Sequence, residues 1–274
     1  KTMEEYRRAK ARLFAVSDRG VINLDDPAAD AMLADALCPC LTFSCEKDAA
    51  DLTARNIGLH ADGVSFLANT RGELARVRLA IPGHFSVENA LAALGIALQL
   101  DMPLADAAKA LATATGVKGR VEVVPTDTDY TVLIDYAHSP DGVENVLRAV
   151  RGFAKGRVVA LFGCGGDRDR TKRPKMGAIA AALSDFCIVT SDNPRTEEPQ
   201  AIIDDILEGM KDTKTPTRVI VDRPEAIRWA LAHARKEDII VLMGKGHETY
   251  QEVNHVKHHM DEREIVADYF ADRK

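Results

Sequence analysis

The chain has 274 residues, a formal net charge of −6 and a hydrophobic fraction of 46%. This length suits two domains or one large one, and the composition is typical of a globular protein with a core. The negative balance argues against non-specific nucleic-acid binding, and no apolar run approaches the ~20 residues of a membrane span. We therefore expect neither a nucleic-acid partner nor insertion into a membrane.

The first part of the chain is predicted to be a mixed α/β segment. Between 51 and 81, three runs alternate apolar and polar residues, and Asp62-Gly63 and Arg71-Gly72 separate them. This alternation is typical of antiparallel strands with one solvated face. The other predicted elements are a helix over 3–14, a strand over 21–24, a helix over 27–37, a strand over 41–45, and helices over 86–100 and 104–115.

A segment with two glycines, residues 116–120, indicates a domain boundary, which we place between 118 and 119. After it, buried strands alternate with helices, which predicts a doubly wound, Rossmann-like α/β domain over 119–274. The polar stretch around His255, His258 and His259 is interpreted as a solvated loop. The predicted strands cover 121–124, 131–135, 157–162, 186–190, 217–221 and 238–243, and helices begin at 140, 174, 200, 224 and 261.

Three polar loops that contain glycine or proline follow three of these strands, at 163–170, 191–199 and 244–248. Because the carboxyl ends of parallel strands share one edge of a sheet, these loops should lie together where α/β proteins bind ligands. Arg195 offers a planar fork that suits a small carboxylate. The alternative is a polar loop in which Thr196 caps the next helix.

Four motifs together resemble the Mur ligases, the amide-forming ligases of peptidoglycan precursor synthesis. They are Asp135–Asp141, Phe162–Asp169 with Lys172-Arg173-Pro174, Asp192–Arg195 and Gly244–Glu248. The resemblance implies a doubly wound C-terminal domain that follows the later part of a central ATPase domain. The Rossmann fingerprint and the Walker pattern are both absent from the sequence. By this resemblance, the phosphate-binding loop and the UDP-binding domain would precede Lys1, and the chain alone is expected to be inactive.

The resemblance implies a cytoplasmic, monomeric enzyme that uses ATP and Mg²⁺. It would join meso-diaminopimelate to UDP-MurNAc-L-Ala-D-Glu through an acyl phosphate. The Asn-Pro-Arg run at 193–195 resembles the diaminopimelate-adding members, since lysine-adding relatives usually lack this arginine. Diaminopimelate carries a second carboxylate, and a buried guanidinium left unpaired by lysine would cost several kcal/mol. The residues implied to line the amino-acid pocket are Arg168, Asp192, Asn193, Arg195, Gly244 and Glu248.

For the nucleotide, the resemblance implies that Asn89 lies near adenine, Arg120 touches phosphate, and Asp135 holds ribose, with His138 in the same loop. Lys10 and His138 are the residues implied to act in catalysis. Lys10 would be carbamylated and would help to position Mg²⁺. The residues alone leave other interpretations open: helix capping for Asn89, a carboxylate in a turn for Asp135, and a solvated helix face for Lys10.

Two classes of alternative function remain at this point. One is a sister ligase on the same scaffold, either a lysine-adding enzyme or one like folylpolyglutamate synthase. The Asn-Pro-Arg run argues against both of these sister ligases. The other is a non-catalytic module that binds an amino acid and lacks a phosphate-binding loop by nature.

Overall fold

The computed structural model describes residues 2–272, which divide into two compact units between Thr115 and Gly116. The first unit contains the five-stranded sheet β1-β2-β3-β4-β5. Its strands are β1 (Gly20–Asn23), β2 (Cys40–Ser44), β3 (Leu52–His60), β4 (Gly63–Thr70) and β5 (Glu73–Leu79). Its helices are α1 (Met3–Ala11), α2 (Ala29–Asp35), α3 (His84–Gln99) and α4 (Leu104–Leu111), with a 3₁₀ turn at Arg12–Ala15.

The first three strands of this sheet run parallel, and β3, β4 and β5 form antiparallel pairs. Alternate residues of β4, including Val64 and Phe66, are buried, as the alternating pattern of the sequence predicts. Helix α3 packs on this face through Val87, Leu91 and Leu94, which are fully buried. The core of the first unit therefore lies between α3 and the mixed sheet.

The second unit contains the six-stranded sheet β10-β9-β8-β11-β7-β6, in which only the edge strand β6 is antiparallel to its neighbour. Helices α8 and α9 pack on one face of the sheet. The strands are β6 (Glu122–Val124), β7 (Thr131–Asp135), β8 (Val158–Phe162), β9 (Phe186–Val189), β10 (Thr217–Val219) and β11 (Ile239–Met243). The helices are α5 (Pro140–Arg151), α6 (Lys172–Leu183), α7 (Pro199–Glu208), α8 (Arg223–Ala232) and α9 (Glu262–Ala271).

The last part of the chain contains a β-hairpin, where the sequence predicted a solvated loop. Strands β12 (Tyr250–Val253) and β13 (Val256–His259) pair antiparallel around Asn254 and His255, whose φ angles are 48° and 63°. Asparagine tolerates this left-handed conformation. The prediction was wrong because β13 is exposed on both faces and so lacks an apolar alternation. Among residues 2–272, no helix combines the length and the apolar character needed to cross a membrane.

Candidate functional site

Loops at the carboxyl ends of β7, β8, β9 and β11 surround a cleft of about 300 Å³. These four strands are neighbours in the sheet, so the loops that follow them meet at one edge. The cleft is lined by Arg168, Asp192, Asn193, Arg195, Gly244 and Glu248, together with Tyr136, His138, Gly163, Gly165 and Lys172. The fold thus brings together all six residues predicted to line an amino-acid pocket.

Glycines allow the cleft loops to touch through their backbones. A Cβ atom on Gly166 would lie 1.9 Å from the carbonyl oxygen of Pro194, and the Gly166 N–H donates to Asn193 O at 2.9 Å. Gly244 has a φ of 114°, and a Cβ there would lie 2.4 Å from Asp192 Oδ2. A larger residue at either position would separate the loops, because the space is filled, and at Gly244 the φ is also one that L-residues rarely adopt.

Arg195 is held in place before any ligand binds. Its backbone has a φ of 52°, and its guanidinium donates from Nη1 to Gly166 O at 2.8 Å. Its Nε lies 3.2 Å from Glu252 Oε2 in an ion pair. Within residues 2–272, Nη2 makes no hydrogen bond. The side chain is 18% exposed, so a fixed, charged donor is available to a carboxylate in the cleft.

Glu252 is a site residue that the sequence did not predict. It lies on β12, and the hairpin also joins the Arg195 segment through its backbone: Arg195 N donates to Glu252 O at 3.0 Å, and Asn254 N donates to Arg195 O at 2.8 Å. The only sequence signal was Asn254, which is typical of a hairpin turn. The structure therefore assigns part of the cleft's support to a segment that was expected to be a loop.

Thr196 does not cap the next helix. Helix α7 begins at Pro199 with Glu198 as its N-cap, which makes no side-chain capping bond. Thr196 Oγ1 instead donates to Asp167 Oδ1 at 2.7 Å. Thr196 lies two residues before the N-cap position, too early to reach the free N–H groups of the helix. Its contact with Asp167 instead adds another link between the loops after β8 and β9.

Asn193 and Glu248 face each other inside the cleft. Asn193 Nδ2 donates to Glu248 Oε2 at 2.9 Å, and Asn193 Oδ1 accepts from Lys245 Nζ at 2.5 Å and from Glu252 N at 2.9 Å. Lys245 is fully buried. Burial lowers its pKa, and the nearby carboxylates of Asp192 and Glu248 oppose that change.

His138 and Arg168 are more exposed members of the cleft. His138 Nδ1 lies 2.9 Å from Tyr136 O. A carbonyl oxygen can only accept, so Nδ1 carries the proton of this bond and a neutral ring has its lone pair on Nε2. Arg168 makes a long hydrogen bond of 3.4 Å to Asp167 O, so its guanidinium can still reorient toward a ligand.

Asp135 and Arg120 do not line the cleft. Asp135 is buried, and its carboxylate accepts from Val121 N and Ala137 N, both at 2.8 Å. Burial raises the pKa of Asp135, and these two backbone bonds oppose the shift. Arg120 is exposed, and its guanidinium carbon lies 5.4 Å from the ring centroid of Tyr136. Asp135 thus makes the contacts of a carboxylate in a turn, which leaves only its remaining lone pairs for a ligand.

Lys10 and Asn89 lie in the first unit and are both exposed. Lys10 is in the last turn of α1, with Nζ 5.5 Å from the ring centroid of Tyr6. It lines a cavity of about 520 Å³ with Asp26, Met32 and other residues, but Asn89 is not among the described residues around it. Within 2–272, no three His, Cys, Asp or Glu side chains are grouped closely enough to hold a metal ion.

Two protein-family models match the chain. One is described as the Mur ligase middle domain and covers residues 1–97, and the other is described as the Mur ligase, glutamate ligase domain and covers 119–246. A similar curated protein is a UDP-N-acetylmuramoyl-L-alanyl-D-glutamate--2,6-diaminopimelate ligase from Clostridioides difficile (strain 630). It is 44% identical over 270 residues, which are 97% of this chain and 56% of the relative.

A protein of the same name from Caldanaerobacter subterraneus subsp. tengcongensis is 46% identical over 272 residues, 99% of this chain and 56% of the relative. A solved structure of a ligase with that name superposes with a TM-score of 0.80 at 37% identity, over 100% of this chain and 57% of that one. MurF from Acinetobacter baumannii, at 18% identity and a TM-score of 0.67 over 97% of this chain and 55% of its own, shares the fold. The chain thus spans a little over half the length of the relatives it matches.

Proposed function

Because this chain belongs to the Mur ligase family, we propose that it is part of an ATP-dependent ligase that adds meso-diaminopimelate to UDP-MurNAc-L-Ala-D-Glu during peptidoglycan synthesis. The names of the similar curated proteins support this proposal. Those relatives are longer than the chain, so the activity is proposed for a complete ligase. We place the boundary of its C-terminal domain between 118 and 119, which the family match starting at 119 supports.

One observation carries the amino-acid assignment: a fixed guanidinium and a carboxylate line the same small cleft. Arg195 Nη2 is available to the side-chain carboxylate that distinguishes diaminopimelate from lysine. Glu248 is available to an ammonium group of the ligand. The exposed Arg168 is available to the carboxylate that Arg195 does not bind. The ion pair with Glu252 means that lysine would not leave Arg195 wholly unpaired. We therefore expect a preference of about 10- to 100-fold, the effect of one or two charged hydrogen bonds.

The proposed chemistry has two steps. ATP transfers its γ-phosphoryl group to the D-glutamate carboxylate and leaves as ADP. The diaminopimelate nitrogen then attacks the acyl carbon, phosphate leaves, and the nitrogen loses a proton. The cleft residues would hold the amino acid so that its nitrogen is oriented for attack, which is a large part of such catalysis. His138 Nε2 is the group we propose to accept the proton.

We also propose that Asn89, Arg120, Asp135 and His138 contact ATP. Arg120 is exposed and can reach a phosphate. The Asp135 carboxylate retains lone pairs beyond the two that accept from the backbone. Each of these four residues can be tested by the KM for ATP in the complete ligase. An unchanged KM for all four alanine variants would contradict this part of the proposal.

The residues proposed to bind ATP could hold Mg²⁺ only together with oxygen ligands from the bound phosphates. This ion commonly takes one or two protein carboxylates and completes its shell with phosphates and water, so it does not need the three-residue cluster that 2–272 lack. Carbamylation of Lys10 would supply one carboxylate oxygen. Intact mass measured under native conditions should exceed the sequence mass by one CO₂ and lose it on acidification. A native mass unchanged by acid would contradict this assignment.

Binding of the amino acid tests the main proposal directly. Titration calorimetry of this chain with meso-diaminopimelate and with L-lysine should detect the first and detect the second weakly or not at all. Tighter binding of lysine would favour the lysine-adding alternative. We further propose a monomer that works in the cytoplasm, and sedimentation of the complete ligase would test the monomer.

A further inference from the structure

Lys245 is fully buried behind the cleft and does not line it. Burying an ammonium group is costly unless it is paired and hydrogen-bonded. Its Nζ lies 2.5 Å from Asn193 Oδ1 and 3.1 Å from Glu248 Oε2. Asp192 Oδ1 lies at 3.9 Å, and the ring centroid of Tyr250 at 5.4 Å. Lys245 therefore connects three cleft residues from beneath.

These contacts fix which way the Asn193 amide points. Lys245 and the backbone N–H of Glu252 are donors only, and both meet Oδ1. The Glu248 carboxylate accepts, and it meets Nδ2. A flipped amide would set two donors against the NH₂ group and an oxygen against the carboxylate. Three neighbours thus select one orientation of Asn193.

The same contacts fix the carboxylate of Glu248. Its Oε2 accepts from both Lys245 and Asn193, while no described residue hydrogen-bonds its Oε1. Lys245 also sits three residues before Glu248, and Glu248 N donates to Lys245 O at 2.9 Å, so the two side chains share one tight turn. One oxygen is therefore held by the protein, and the other remains available in the cleft.

We propose that Lys245 is a positioning residue of the amino-acid cleft, which holds Asn193 and Glu248 so that Glu248 Oε1 faces the ammonium group of the ligand. Without Lys245, the carboxylates of Asp192 and Glu248 would lie close together without their shared cation. Glu248 would then lose its fixed position, and this loss weakens its bond to an ammonium group. The identity of the ligand rests on the function proposed above, but the positioning does not.

Calorimetry with meso-diaminopimelate as the probe tests the effect on binding. Lys245→Met should raise the Kd at least tenfold while the number of binding sites stays near one. Lys257→Met is the matched control, because Lys257 is exposed yet also contacts the Tyr250 ring, at 4.1 Å. It should change the Kd less than twofold. A merely structural role predicts fewer competent sites at an unchanged Kd. That outcome, or a Kd within threefold of the wild type, would overturn the proposal.

NMR without ligand separates this inference from the proposed function. In Lys245→Gln, the side-chain NH₂ signals of Asn193 should move, whereas Lys257→Met should leave them in place. In the wild type, the ammonium protons of Lys245 should exchange slowly with solvent and those of Lys257 rapidly, a comparison that remains if the Lys245 variants do not fold. Immobile Asn193 signals or a rapidly exchanging Lys245 would refute the positioning role even if diaminopimelate binds. Failure of diaminopimelate to bind, with the NMR results as expected, would refute only the ligand.

Discussion

The two units present their predicted functional residues in different ways. In the second unit, the residues predicted to bind the amino acid come from neighbouring loops. These loops are held together by close backbone contacts at glycines and by hydrogen bonds such as that from Asn193 to Glu248. In the first unit, Lys10 and Asn89 are exposed on separate helices, and only Lys10 lines the large cavity there. One set is preorganised by the fold of a single sheet edge, and the other consists of surface side chains.

This difference predicts how each set responds to change. A substitution in the interlocked cleft should alter binding and folding together, because the side chains that face the ligand also hold the loops. A substitution of an exposed residue in the first unit should leave both unchanged until ATP is present.

Arg195→Ala should have the largest effect on the cleft. It removes the proposed partner of the side-chain carboxylate and leaves Glu252 without its cation. We expect diaminopimelate to bind about 100-fold more weakly, close to 3 kcal/mol. Calorimetry of the folded chain measures this change. An affinity within threefold of the wild type would show that the guanidinium does not contact the ligand.

Gly244→Ala should destabilise the second unit, because its φ is 114° and the new Cβ would lie 2.4 Å from Asp192 Oδ2. We expect a loss of roughly 2–3 kcal/mol in the free energy of unfolding. Gly72→Ala is the matched variant in the first unit: its φ is 87°, but nothing lies within 4 Å of the new Cβ. It should cost only about 1 kcal/mol. Equal losses in urea unfolding would mean that the packing around Gly244 relaxes.

Glu252→Gln should have a smaller effect on binding than loss of Arg195. The glutamine keeps the backbone bonds of β12 but removes the charge that holds the guanidinium. We expect diaminopimelate affinity to fall about 3- to 10-fold, one half to one decade. Because Glu252 is not expected to touch the ligand, an effect as large as that of Arg195→Ala would contradict its supporting role.

Acid should lower the free energy of unfolding of the second unit, because it protonates the carboxylates that pair with the buried Arg173. Hydrogen bonds from Arg173 lower the pKa of Glu197, and those from Arg170 and Arg173 lower the pKa of Asp205. A lowered pKa contributes stability that is fully present above the unfolded value and is lost as the pH falls through the folded one. The free energy of unfolding should therefore decrease below about pH 4.5. Glu197→Gln should flatten this decrease in acid titrations, and an unchanged slope would exclude the pair as its cause.

Lys10→Ala should have the smallest effect on this chain. The side chain is exposed, so we expect less than about 0.5 kcal/mol in unfolding free energy and no change in diaminopimelate affinity. The variant should matter only for turnover of ATP by the complete ligase. A large loss of stability in the isolated chain would show that Lys10 has a structural role.

The sequence predicts those parts of the fold in which burial leaves a strong pattern. Both β8 and β11 are fully buried, and their unbroken apolar runs located the loops that form the cleft. The hairpin of β12 and β13 was missed because half-buried and exposed strands need no apolar residues. Pairing of the hairpin with the loop after β9 is a tertiary contact, which no local pattern encodes.

The positions of cleft side chains were predictable at the level of loops, but their partners were not. The sequence placed Arg195 and Glu248 at one sheet edge. It could not indicate that Glu252 would pair with the first or that Lys245 would lie buried beneath the second. A buried lysine contradicts the usual preference of that residue for the surface, and only the geometry of its neighbours explains it.

The backbone N–H of Glu252 supplies one of the two donors that fix Asn193. A main-chain donor belongs to the position and not to the side chain, so every residue except proline preserves it. Substitutions at position 252 can therefore change the ion pair with Arg195 while the backbone hydrogen bond to Asn193 is kept. Variants that change the accepted amino acid, or that escape an inhibitor directed at this cleft, should arise at 252 more readily than at 193.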